Sequence, residues 1–261
     1  MIIKNIYNKI SVHPLLIVVA GSSLITGLFK DFFLMFSIII IHEIGHLMAA
    51  SYYNFNIYKI YLYPFGGFIK FNDKLNRTIK EEFIILISGP LFQILFFCLM
   101  SIMHKYGLVS NNTFDIIVNY HYSLLIFNLL PIFPLDGSKF INLILSKFLS
   151  FKRAHLSMIF LSYVTLLVAF ITSKYISFNV NIYLLLCLLL FKLIEESKNH
   201  KTIYNRFLLE RYLYNFGFKK RKLIKGSRLS LMRRDCKHLF IVDNKEITER
   251  EMLRKRYNQR R

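Results

Sequence analysis

The sequence predicts an all-α polytopic membrane protein with six transmembrane helices, an interfacial β-hairpin and a short basic cytoplasmic tail. Hydrophobic residues make up 54% of the 261 residues, which is more apolar surface than a soluble domain of this length can bury. Long uncharged stretches alternate with short charged segments, and the net charge is +20, as expected for loops that face an anionic membrane surface. Three scattered cysteines exclude a disulfide framework.

Six stretches are long enough to cross the hydrocarbon core, which takes about 20 helical residues. Five contain no Asp, Glu, Lys or Arg, and the second contains a single acidic residue, Glu43. The stretches are residues 11–29, 32–58, 83–104, 116–135, 154–173 and 175–191. A cleaved signal peptide is the alternative for the first stretch, because Lys4 and Lys9 precede it, but its length favours a retained helix.

The distribution of Lys and Arg predicts the orientation of these spans. The segments before, between and after them carry 2, 1, 5, 1, 4, 1 and 21 basic residues, so high and low counts alternate throughout. The positive-inside rule then places both termini in the cytoplasm of a multi-pass cell-membrane protein. We expect a membrane domain over residues 1–195 and a basic tail over residues 196–261.

Aromatic and β-branched residues flank the turn Pro64-Phe65-Gly66-Gly67, which is typical of a β-hairpin. The charge pattern places this hairpin at the cytoplasmic interface. We expect Phe65, Gly66 and Gly67 to bind substrate there, because an edge strand can hold an extended peptide by β-augmentation.

The second span contains the sequence His42-Glu43-Ile44-Gly45-His46. Residues four apart lie on one face of a helix, so both imidazoles can reach the same ion. Imidazole nitrogens suit zinc, and a catalytic zinc takes three protein ligands and a water. Glu43 would be the general base that accepts a proton from this water. A charge inside an apolar span is costly unless it serves such a site.

The third ligand must come from elsewhere, and Asp136 at the end of the fourth span is the candidate. Two prolines, Pro131 and Pro134, break the helix before it and would turn the carboxylate inward. The alternative is that Asp136 only caps the following helix. Topology favours a ligand, because the second and fourth spans run in the same direction and both motifs reach a similar membrane depth. His121 is the next candidate.

These motifs resemble the site-2 protease family of intramembrane zinc metalloproteases over about residues 11–195. The resemblance rests on the His42 to His46 motif, the hairpin turn, Ser88-Gly89-Pro90 and the run from Asn128 to Gly137. It implies zinc as the cofactor, Asp136 as its third ligand beside His42 and His46, and cleavage of a membrane-associated protein. The charge alternation predicts that the cut lies near the cytoplasmic face. Asn128 would bind substrate, although a hydrogen bond between helices is an equal alternative.

The residues Pro134-Leu135-Asp136-Gly137 are most similar to those of the sporulation members of this family. That similarity implies a pro-sigma-K-like sigma-factor precursor as substrate, membrane inhibitor proteins as partners, and a place in the mother-cell membrane around the forespore. Those members carry a C-terminal CBS domain, a nucleotide-sensing module. Residues 228–253 resemble at most half of one, so the resemblance does not extend to ATP sensing.

Two other functions are compatible with parts of the sequence. A divalent-metal transporter should carry further His or acidic residues through several spans, whereas this chain has one cluster and Asp136. A membrane-anchored nucleic-acid binder would use the basic tail, but no recognition-helix or RNA-binding pattern accompanies the charge. Contact of the tail with the lipid bilayer is therefore the favoured explanation, and nucleic acid is not an expected partner.

Overall fold

A computed structural model describes residues 10–63, 66–71, 74–173 and 180–258 of the chain. The described part is mostly helical and also contains two three-stranded sheets. The helices are α1 Pro14–Ile25, α2 Phe29–Tyr52, α3 Ile79–Lys105, α4 Asn111–Leu129, α5 Asp136–Phe148, α6 Phe151–Ser173, α7 Val180–Leu213 and α8 Glu249–Asn258. The strands are β1 Ile10–Val12, β2 Ile57–Tyr63, β3 Gly66–Phe71, β4 Lys220–Lys225, β5 Cys236–Val242 and β6 Lys245–Thr248.

Within the described ranges, three helices are long and apolar enough to cross a membrane, namely α2, α3 and α6. Helix α1 is also apolar but has only 12 residues. The predicted span 116–135 is not one helix, because α4 ends at Leu129. This end agrees with the predicted break, because Pro131 and Pro134 cannot sustain the helical hydrogen-bond ladder. The helix in the predicted span 32–58 begins earlier and ends earlier than that stretch: α2 covers Phe29–Tyr52, and Asn54 after it takes a positive φ of 53°.

The first sheet belongs to the N-terminal part of the chain. Strands β2 and β3 pair antiparallel where the sequence predicts a hairpin, and β1 pairs with β2 in parallel. The sequence analysis missed β1, which has only three residues. His13 joins this sheet to α1: its Nδ1 atom accepts a hydrogen bond from the Leu15 N–H at 3.2 Å, and its ring stacks on Tyr63. His13 is therefore a helix cap.

The C-terminal part of the chain is a folded unit with its own apolar core. Strand β4 pairs in parallel with β5, and β5 pairs antiparallel with β6. The fully buried side chains of this core are Phe207, Leu208, Met232, Phe240 and Leu253. Burying side chains of this size stabilises a fold by about 1.5–3 kcal/mol each. The all-α prediction omitted this sheet, since only β5 has a clear apolar run.

A buried polar network ties residues 74–82 to this C-terminal unit. Arg211 on α7 donates to the Asn76 side chain and to the backbone carbonyls of Arg233 and Cys236. Arg234 forms an ion pair with Glu82. Burial by itself lowers the pKa of the Arg234 guanidinium, but the Glu82 carboxylate reverses this, and the pKa lies above its ordinary value. The network shows that the predicted loop before α3 and the predicted tail share one folded unit.

Candidate metal centre

His42 and His46 lie one turn apart on α2 and are both buried. Their Nε2 atoms are 3.1 Å apart, and the rings meet edge to face with centroids separated by 4.8 Å. The i, i+4 spacing thus brings both imidazoles to one point, as the sequence predicts. A tetrahedral zinc with Zn–N bonds of about 2.0–2.1 Å would separate two ligand nitrogens by roughly 3.3 Å.

The outer nitrogen of each ring has a defined partner on α3. The Nδ1 atom of His46 lies 2.7 Å from the backbone oxygen of Ile85, and the Nδ1 atom of His42 lies 3.0 Å from Oε1 of Gln93. A carbonyl oxygen can only accept, so each Nδ1 carries the hydrogen and donates it. Each Nε2 is then the acceptor nitrogen, which is the form that binds a metal.

Gln93 is a site residue that the sequence analysis missed. It is fully buried, and its Nε2 atom donates to the backbone oxygen of His121 at 2.9 Å. This second bond fixes which end of the amide faces His42. The signal in the sequence was a polar, uncharged residue in the middle of the apolar stretch 83–104, where such a side chain needs a partner.

The motif Ser88-Gly89-Pro90 lets α3 pass close to α2. A Cβ atom on Gly89 would clash with the His46 ring, and one on Gly45 would clash with the backbone of Ser88. The Ser88 hydroxyl donates to the Ile85 oxygen at 2.6 Å, the same oxygen that accepts from His46. The small residues thus allow the carbonyl of Ile85 to reach the His46 imidazole. This close approach explains why the motif contains glycine.

Glu43 lies between the two histidines in sequence and is half-buried. Its Oε1 atom accepts a hydrogen bond from the backbone N–H of Gly67 at 3.2 Å. The absence of a side chain at Gly67 makes this approach feasible, because a Cβ atom there would overlap the Glu43 carboxyl group. The turn end of the hairpin is therefore in contact with the predicted base.

Asp136 is the first residue of α5, and Leu135 rather than Asp136 is the N-cap of that helix. The Lys139 ammonium lies 3.0 Å from the Asp136 carboxylate. Short turns precede it, closed by hydrogen bonds from the Ile132 N–H to the Leu130 oxygen and from the Leu135 N–H to the Ile132 oxygen. His42 and His46 belong to one compact unit of the chain and Asp136 belongs to the other, so Asp136 stays the predicted third ligand.

The pair of histidines fits zinc. It offers two imidazoles in the acceptor tautomer, and a catalytic zinc site takes one more protein ligand and a water. Two acceptor nitrogens at 3.1 Å repel each other, and a bridging cation removes that repulsion. The fit is thus supported by the hydrogen-bond network as well as by the residue types.

The remaining predicted site residues divide into three cases. Gly66, like Gly67, belongs to β3, whereas Phe65 lies outside the described residues. Asn128 is half-buried in the last turn of α4. His121, the reserve candidate for a ligand, is buried and stacks on Phe97 with ring centroids 4.2 Å apart. Its backbone supports Gln93, which gives it an indirect place in the site.

Comparisons with known proteins point to one family. The sequence profile of peptidase family M50 matches residues 31–115. The chain is 34% identical over 252 residues to stage IV sporulation protein FB of Bacillus subtilis (strain 168). The aligned region covers 90% of this chain and 85% of that protein. It is 35% identical over 121 residues to a zinc metalloprotease of Methanocaldococcus jannaschii, which covers 44% of this chain and 34% of that protein. The fold matches a solved site-2 protease from Methanocaldococcus jannaschii with a TM-score of 0.58 and 26% identity, over 72% of this chain and 90% of that one.

Proposed function

The chain belongs to peptidase family M50, the site-2 protease family of intramembrane metalloproteases, and we propose that it cuts a membrane-associated protein by zinc-assisted hydrolysis near the cytoplasmic face. The observation that carries the proposal is the convergence of the His42 and His46 Nε2 atoms, each ring being held by a hydrogen bond at Nδ1. Asp136 would be the third ligand. Relatives named as zinc metalloproteases support the choice of metal.

The proposed chemistry divides between the metal and the protein. Bound zinc supplies a water of lowered pKa, about 7, and polarises the scissile carbonyl. Glu43 accepts the proton of this water and passes it to the leaving amine. The Gly67 N–H, which donates to Glu43 at 3.2 Å, holds the carboxylate in a fixed orientation. Gln93 and the Ile85 carbonyl keep the two imidazoles in the acceptor tautomer.

We propose that the substrate binds as an added strand at β3. The sheet order is β1-β2-β3, so β3 is an edge strand among the described residues. An edge strand offers unpaired backbone groups to an extended peptide. Because Gly67 on β3 contacts Glu43, a peptide paired with this strand would pass close to the base. Gly66, Phe65 and Asn128 remain candidates for substrate contacts.

The proposed topology has six spans with both termini in the cytoplasm, and a boundary between membrane domain and tail near residue 195. The alternation of basic residues supports this arrangement. The ion pair between Arg234 and Glu82 is compatible with it, because both residues fall in segments with a predicted cytoplasmic location. Similarity to a stage IV sporulation protein supports a sigma-factor precursor of the pro-sigma-K type as the substrate, in the mother-cell membrane. Membrane inhibitor proteins would then be regulatory partners.

A metal transporter receives no support. The matching family is one of peptidases, and two of the relatives are named as zinc metalloproteases.

Metal removal tests the proposal. The purified full-length chain is reconstituted in liposomes with a tagged sigma-factor precursor, treated with a chelator, and then supplied with zinc. We expect cleavage to stop on chelation and to return with zinc. Cleavage that persists without bound zinc would contradict the proposal.

A further inference from the structure

A second polar site lies in the C-terminal unit, in a groove between the start of α6 and strand β4. The groove has a volume of about 280 Å³. Its charged lining residues are Arg153, Lys222, Lys225 and Arg233, and none of the residues that line it is acidic. None of these four cations forms an ion pair with a carboxylate in the described part of the chain. Four cations without a counter-charge favour an anionic ligand.

The groove also contains a buried hydroxyl without a partner. Ser150 is 5% exposed, lines the groove, and its Oγ atom has no hydrogen-bond partner among the described residues. Leaving a buried hydroxyl unsatisfied costs about 1–3 kcal/mol. Such a group in a cationic groove is expected to donate to a ligand oxygen.

The N-terminus of helix α6 also favours an anion at this groove. Ser150 is its N-cap residue, because the Ser150 carbonyl accepts the first helical hydrogen bond from the Ala154 N–H at 2.9 Å. The first N–H groups of a helix have no intrahelical acceptor, and the helix dipole favours negative charge beside them. The N-terminus of a 23-residue helix is thus combined with an unsatisfied hydroxyl and with cations.

The location of the groove indicates which anion it would bind. Helix α6 is apolar and long enough to cross a membrane, so its first turn should lie at the level of the lipid headgroups. Phe148 and Leu223, which line the groove, are 66% and 59% exposed. Exposed apolar side chains beside Lys and Arg are typical of a surface that contacts acyl chains and lipid phosphates together.

We propose that this groove, defined by Ser150, Arg153, Lys222 and Arg233, binds the phosphate of an anionic phospholipid. The Ser150 hydroxyl and the cations contact the phosphate oxygens, while Phe148 and Leu223 pack on the acyl chains. The site would fix the C-terminal unit at the membrane surface. The proposal rests on α6 crossing the membrane and does not depend on proteolysis.

Lipid binding to the full-length protein in detergent tests the site. Native mass spectrometry counts the bound lipids after titration with phosphatidylglycerol or with zwitterionic phosphatidylcholine. We expect a preference for phosphatidylglycerol that falls about tenfold in Ser150→Ala, which loses a hydrogen bond to a charged group. It should fall about fivefold in Arg153→Gln and again in Lys222→Gln, as expected for single charges near an anionic surface. Ser150→Ala should not lower the melting temperature, because the hydroxyl it removes is unsatisfied.

Lys237→Gln is the matched control, because Lys237 is exposed on β5 of the same unit and does not line the groove. It should retain the lipid preference. Equal binding of the two lipids would overturn the proposal, as would an equal loss in Lys237→Gln. Displacement of phosphatidylglycerol by millimolar inorganic phosphate, or by an acidic peptide that requires Ser150, would assign the groove to a soluble ligand instead.

Discussion

The backbone N–H of Gly67 donates a hydrogen bond to the Glu43 carboxylate at 3.2 Å, so the β2–β3 hairpin and the metal-motif helix meet at the proposed general base. The two residues are 24 positions apart, and their contact joins the two motifs of the N-terminal half. In our account, the same hairpin orients the base and presents the substrate.

Gly67→Ala should therefore impair catalysis and leave the metal bound. The added methyl group would overlap the Glu43 carboxyl group, which must rotate away from its present position. Loss of a positioned base lowers rates by about 10²–10⁴-fold, so we expect a loss near the lower end of this range. Cleavage assays and zinc analysis on the same preparation measure both effects.

The control for this substitution is Gly21→Ala on α1. No atom lies within 4 Å of a Cβ added at Gly21, and alanine favours helix. Activity should be unchanged there. If Gly67→Ala retained full activity, the contact between the hairpin and Glu43 would not be needed for catalysis.

Gln93→Leu should weaken zinc binding by about 10–100-fold, which is the usual effect of losing a group that orients a metal-bound histidine. The substitution removes the acceptor for the His42 Nδ1–H, at 3.0 Å, and leaves the ring free to change tautomer. Competition with a zinc chelator measures the affinity. Gln93→Glu keeps an acceptor for His42 and should retain more zinc than Gln93→Leu. If both variants bind zinc like the wild type, Gln93 does not position the ligand.

Site contacts between residues that are close in the sequence could be predicted, whereas contacts between distant residues could not. The one-turn spacing of His42 and His46 predicts that they share a helix face, and their Nε2 atoms do converge. The bond between His42 and Gln93 spans 51 positions and could not be derived from local periodicity. Only the isolated polar residue in an apolar stretch indicated that Gln93 has a partner.

The same reasoning applies to the fold. The long apolar helices α2, α3 and α6 are evident from composition. The sheet of the C-terminal unit is not, because the parallel pairing of β4 with β5 depends on a core that includes Phe207 and Phe240. Strand β4 is rich in lysine, and its buried and exposed side chains do not alternate regularly, so its hydropathy pattern does not indicate a strand. Similarly, Arg211 looks like one of many basic residues, yet it is the centre of a buried network.

Asp136→Ala should lower both zinc content and activity, because two histidines alone are a poor zinc site. Asp136→Asn should keep the fold and bind zinc more weakly. Lys139→Ala is the matched control: it removes the ion pair with Asp136 at 3.0 Å, whose lysine side chain is 42% exposed, and such pairs contribute at most about 1 kcal/mol. If Asp136→Ala retains zinc and full activity, the third ligand lies elsewhere, and His121 is the first alternative to test.

The position of the cut tests the proposed topology. The motifs lie at the cytoplasmic ends of the second and fourth predicted spans, so water should enter from the cytoplasm and the released fragment should be cytoplasmic. A cut on the outer side would leave backbone polar groups of the substrate unpaired in the hydrocarbon region, at several kcal/mol each. Mass spectrometry of the new terminus of a sigma-factor precursor locates the cut. An external cut would refute the orientation derived from the basic residues.

The most direct measurement for the central claim is zinc content and cleavage in parallel on purified wild type and Glu43→Gln. Glutamine cannot accept the proton but leaves His42, His46 and Asp136 in place. We predict equal zinc, close to one ion per chain, and cleavage reduced by about 10²-fold or more in the variant. Cleavage at the wild-type rate with zinc lost, or with zinc retained, would contradict the assignment of Glu43 as the base of a zinc protease.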